Sequence, residues 1–85
     1  MNFHEIILDC RELEAPEPLN LVLKNTFKCD CFTYLKMLHR IEPTPLLNIL
    51  ESNSYSTRVL KKENDFIIYI WLDNKKELRE YIKVL

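Results

Sequence analysis

Eighty-five residues, 47% of them hydrophobic, make one globular domain, since the chain is too short to fill two cores. Twelve basic residues against thirteen acidic ones leave a net charge of -1, which argues against a general attraction to nucleic acid or to an anionic membrane. No apolar run reaches the ~18 residues needed to span a bilayer, the opening residues do not read as a signal peptide, and the expected location is cytoplasmic. The chain has no glycine, so a glycine-rich phosphate loop of either common type is ruled out. Cys10, Cys29 and Cys31 are read as free thiols rather than as a disulfide framework.

In chain order, Phe3 to Leu8 is a short apolar run suited to a strand covered on both faces. A polar loop from Asp9 to Ala15 carries Cys10. A first helix is expected from about Pro16 to Phe27, with Leu19, Val22, Leu23 and Phe27 on one face at helical spacing. Lys24 and Lys28 near its end suit the negative pole of the helix dipole. Cys29-Asp30 turns the chain into a second strand, Cys31 or Phe32 to Leu38, and His39 to Glu42 form a second loop. Thr44 is suited to cap a second helix, with Pro45 at its first position and an end near Ser52.

Tyr55 to Lys61 alternates as a third strand. Lys62-Glu63-Asn64-Asp65 is a natural hairpin turn, and Phe66 to Leu72, apolar on both faces, is expected to be a central strand. From Asn74 onward the spacing is helical again, with Leu78, Tyr81, Ile82 and Leu85 in one stripe. That stripe must be buried on the open face of the sheet or against a partner. The order is βαβαββ, an α/β (α+β) fold, and right-handed crossovers allow the two helices to lie on one face of a mixed four-stranded sheet.

All four prolines lie in two matched stretches. Pro16-x-Pro18-Leu19 runs on to Leu23, and 27 positions later Pro43-x-Pro45-Leu46 runs on to Leu50. Proline fits the first helical turn, where its fixed φ is suitable and its missing N–H is not needed. Each stretch follows an apolar strand, so the chain contains two strand–loop–helix units in tandem.

These residues resemble a known superfamily. Leu8-Asp9-Cys10-Arg11-Glu12-Leu13-x-Ala15-Pro16-Glu17-Pro18-Leu19 is similar to the Leu-Asp-x-x-Gly-Leu-x-Cys-Pro-x-Pro opening of TusA/SirA-like sulfur carriers. The nearer likeness is to a branch known as a domain of unknown function, which usually lacks the cysteine. That branch has a His-x-x-x-Pro-x-Pro-Leu motif, here His39-Arg40-Ile41-Glu42-Pro43-Thr44-Pro45-Leu46. The resemblance covers about residues 5 to 72. It implies a two-layer α/β sandwich with strand order 1-2-4-3, a domain over 1–73 and a helical extension over 74–85. Ala15 stands where the sulfur-carrying cysteine would be, so persulfide chemistry does not carry over at that atom. Glu12 replaces the usual glycine.

Both loops, 9–16 and 39–44, follow parallel strands and should meet at the carboxyl end of the sheet, where open α/β sheets bind ligands. Two helix N-termini would converge there. The first loop is acidic, with Asp9, Glu12, Glu14 and Glu17 against Arg11, which disfavours an anionic substrate. Glu14 and Glu17 either stabilise their own helix through its dipole or take part in recognition. Cys10 is either a replacement thiol or a small inert residue at a strand end. His39 is either a ligand or proton carrier or a structural histidine bonded to backbone. Cys29-x-Cys31 falls at the opposite end and lacks a second ligand pair. Tyr34, Tyr69 and Trp71 belong to strands and read as core.

The favoured function is a non-enzymatic binding or adaptor module without a cofactor. It would engage a partner protein or small ligand through Cys10, Ala15, Pro16, Glu17, His39, Arg40, Glu42 and Pro43. The alternatives are a sulfur or redox relay through Cys10, and a metal or haem accessory domain using His39. Homo-oligomerisation through the last helix or an open sheet face is a further expectation.

Overall fold

The computed structural model describes residues 2–85. Strands β1 (His4–Asp9), β2 (Thr33–His39), β3 (Tyr55–Lys62) and β4 (Asp65–Leu72) form one mixed sheet in the order β1-β2-β4-β3. β1 and β2 are parallel, with Ile6 opposite Leu35 and Leu8 opposite Met37. β4 runs antiparallel to both its neighbours. Helices α1 (Glu17–Asn25) and α2 (Thr44–Ser52) cover one face, and α3 (Lys76–Lys83) covers part of the other.

Period-two alternation sorts the residues of the central strands between these layers. Leu35, Met37, Ile68 and Ile70 pack with Val22, Leu46 and Leu50 beneath α1 and α2. Tyr34, Tyr69 and Trp71 point to the other side and pack with Leu78 and Ile82 of α3. β4 is therefore buried on both faces, which explains why Phe66 to Leu72 is an unbroken apolar run.

The last helix finds its burial site within its own chain. Leu78 and Ile82 are fully buried, each stabilising by about 1.5–3 kcal/mol. The Arg58 guanidinium donates to the Ile82 carbonyl, and the rings of Phe3 and Tyr81 lie 4.7 Å apart. The stripe is narrower than its spacing suggests, because Tyr81 and Leu85 lie at its margin and stay exposed. The helix also begins at Lys76, two residues later than Asn74.

Other departures have physical causes. β1 is an edge strand rather than a strand covered on both faces, and Ile7 is 56% exposed, because α3 does not reach over it. Phe27 is 78% exposed instead of sharing the α1 stripe. The α-helix stops at Asn25, and a 3₁₀ turn over Thr26–Lys28 changes the periodicity that would have turned Phe27 inward. Thr44 is not the cap of α2; it is the first helical residue, preceded by Pro43, and Pro45 takes the second position. His39 ends β2 rather than opening the loop.

Without glycine, two tight turns place other residues in left-handed backbone. Ser54 (φ 69°) joins α2 to β3, and Glu63 (φ 58°) takes the first central position of the two-residue β3–β4 turn, where glycine is usual.

If α3 is an integral layer, Leu78→Ala should cost about 2–5 kcal/mol in urea unfolding, within a single cooperative transition. A loss below about 0.5 kcal/mol, the usual range for a surface change, would make α3 a detachable appendage.

Candidate functional site

The carboxyl ends of β1 and β2 release loops that turn back into α1 and α2. Between them lies a cleft of about 520 Å³, lined by Leu13 to Pro16, Pro18, Leu19, His39 to Pro43, Pro45 and Leu46. That volume lies within the range of small-molecule sites, about 300–1,000 Å³. The two proline stretches form its two sides.

The first loop is shaped by local hydrogen bonds. Cys10 N–H donates to the Leu38 carbonyl at 2.8 Å, continuing the β1–β2 pairing by one residue. Arg11 then folds over Asp9, with Nη2 and Nε at 2.7 and 2.9 Å from its carboxylate, and reaches Asp65 at 3.5 Å. Arg11's side-chain and backbone N–H groups hold the Asp9 carboxyl down at about 2. This arginine is thus committed to its own loop, and Arg40 is the cation in the cleft lining.

The helix starts repeat in part: the Asn20-to-Pro16 and Leu47-to-Pro43 bonds match, whereas Glu17 reaches three residues back and Thr44 two. Glu17 N–H donates to the Glu14 carbonyl at 2.9 Å, and Asn20 N–H to Pro16 at 3.1 Å. At the second start, Thr44 N–H donates to Glu42 at 3.0 Å, and Leu47 N–H to Pro43 at 3.0 Å. Pro18 and Pro45 have no N–H, and neither helix has a side-chain cap. The N–H groups of Leu19 and Leu46, third in each helix, therefore have no backbone or capping partner. Both leucines line the cleft.

His39 lies between the two starts at the end of β2. It is 7% exposed, and its Nδ1 is buried with no hydrogen-bond partner. Buried polar atoms are normally paired, and leaving one unpaired costs about 1–3 kcal/mol. The only other such atom among the described residues is Trp71 Nε1, on the opposite face of the sheet near α3. The backbone-bonded structural role weighed for His39 is not met at Nδ1.

The structure brings together Ala15, Pro16, His39, Arg40, Glu42 and Pro43 from the sequence-derived set. It does not bring Cys10 into the lining. That thiol is fully buried in the core with Leu8 and Val22, and burial followed by the nearby Asp9 charge pushes its pKa up. Glu17 begins α1 on the exposed surface outside the lining. Sequence reasoning missed Leu13 and Ile41 as lining residues. Their signal was present, because each is a large apolar residue within an otherwise polar loop. At the far end Cys29 is buried and Cys31 exposed. Among the described residues, no group of three or more His, Cys, Asp or Glu could hold a metal ion. Among the same residues, no helix is long and apolar enough to cross a membrane.

Compared with protein-family models, with curated proteins and with solved structures, the chain matches none.

The buried thiols make a prediction. A thiol reagent should modify Cys31 at once, and Cys10 and Cys29 only on unfolding. Burial, then Asp30, raises Cys29 from 9.0 to about 11. The unfolded chain then releases this proton first, so the stabilisation is full below pH 9 and is lost as pH rises towards 11. Cys29→Ala should flatten that part of the pH–stability curve; an unchanged slope would contradict it.

Proposed function

We propose that this chain is a non-enzymatic binding module whose working surface is the cleft between the two helix starts. The observation that carries the reading is an apolar cleft whose lining includes His39, with its Nδ1 buried and unpartnered. Apolar walls confer affinity by leaving water, and a few polar groups fix orientation. Leu13, Ile41, Leu19, Leu46 and the prolines supply the walls here, while His39 and the helix N–H groups supply the polar contacts. The occupant is a small ligand or an apolar segment of a protein partner.

The resemblance to TusA/SirA-like sulfur carriers fits this reading. Ala15, at the signature's cysteine position, signature residue Pro16 and motif residues His39, Pro43 and Leu46 all line the same cleft. With Ala15 at the position of the reactive cysteine, the scaffold would keep its binding surface without the thiol. The burial and raised pKa of Cys10 lend no support to a sulfur relay, since a reactive thiol needs access and a lowered pKa.

Native mass spectrometry of protein purified without detergent, reductant or chelator tests the proposal. Wild type is expected to carry a bound small molecule or partner, and Ile41→Asp to lose it. Ile41 is 62% exposed, so the change should leave the core intact. Equal loading of the two proteins, or added sulfur mass on Cys10, would contradict it.

A further inference from the structure

The chemistry of the cleft narrows the class of occupant, and this step rests on the binding reading above. Three kinds of group meet there. The walls are apolar. The N–H groups of Leu19 and Leu46 are donors without backbone or capping partners, each at the positive end of a nine-residue helix. His39 is buried with Nδ1 unpaired, and a neutral imidazole offers one donor and one acceptor. The carboxylates of Glu14 and Glu42 lie exposed, and the two N–H groups at the helix starts have no acceptor, so an occupant seated on them must bring one. An ammonium group, which only donates, does not match this set.

Charge decides between a carboxylate and an uncharged acceptor. Glu14 and Glu42 line the cleft and are exposed, and Glu17 stands exposed at the start of α1. Arg40 is the only arginine or lysine among the lining residues; Arg11 lies outside the lining, paired with Asp9 and Asp65. Two lining carboxylates against one guanidinium, with Glu17 at the start of α1 beside them, offset the two helix dipoles, each worth about 0.3–1 kcal/mol at the surface. A full negative charge thus loses at the rim what it gains at the helix ends. An uncharged carbonyl accepts the same hydrogen bonds without that repulsion.

We propose that the cleft binds a small apolar molecule through an uncharged carbonyl group seated between the Leu19 and Leu46 N–H groups and His39. The volume suits a small molecule rather than a folded surface. Leu13 and Ile41, contributed by the two loops, would cover its apolar tail.

Octanamide, octanoate and octylammonium share one alkyl tail and differ in head group, so they serve as probes in a nitrogen-15 NMR titration of the whole chain. Octanamide should shift the Leu19 and Leu46 amides and the His39 ring nitrogens, and should bind at least about tenfold tighter than the other two. In the variant Glu14→Gln/Glu42→Gln, octanoate should gain affinity relative to octanamide. Octanoate or octylammonium binding these residues as tightly as octanamide would overturn the ligand class and leave the binding reading standing. No shift at residues 13–19 and 39–46 with any probe would overturn both.

Discussion

The structure depends on the handedness of the crossover between parallel strands. β1 and β2 are parallel neighbours, so the connection between them leaves the sheet, forms α1 and returns on one side. The second unit, β2–loop–α2, repeats the move on the same face. Both helices must then start at the carboxyl edge of the sheet, and their first turns face each other across His39. Nothing in the cleft needs a long-range ion pair to assemble it. The ion pairs nearby, Arg11 with Asp9 and Asp65, involve no lining residue and are partly exposed, where such contacts contribute little.

The antiparallel half of the sheet supplies stability. β4 separates β2 from β3 and buries residues on both faces, so one strand anchors two cores. A chain of this length gains from the second core, because a small domain buries a small fraction of its surface. α3 adds that core with only Leu78 and Ile82 fully buried, helped by the Arg58 contact to the Ile82 carbonyl. The strained Glu63 and Ser54 show the opposite pressure, turns made without glycine.

Much of this was legible in the sequence. The element order and the central place of β4 follow from apolar runs, turn residues and crossover geometry, the strand order was what the resemblance implied, and all are found in the structure. The repeated Pro-x-Pro-Leu marked both sides of the cleft. What escaped were properties set by neighbours rather than by spacing. Ile7 looks as apolar as Ile68, yet one is on an edge beyond α3 and the other lies under two helices. Phe27 keeps helical spacing on paper, but a change to 3₁₀ geometry turns it outward. Cys10 and His39 both stand at strand ends, yet Cys10 is buried in the core and His39 lines the cleft.

The central claim is that the two helix starts form the surface where this protein binds. Its most direct test is to map a set of small neutral apolar fragments on the protein by amide chemical-shift changes. The account predicts shifts concentrated in residues 13–19 and 39–46. Exposed apolar side chains elsewhere, Phe27, Phe32 and Ile7, provide the comparison. Shifts clustered around those three residues, with the cleft silent, would contradict it.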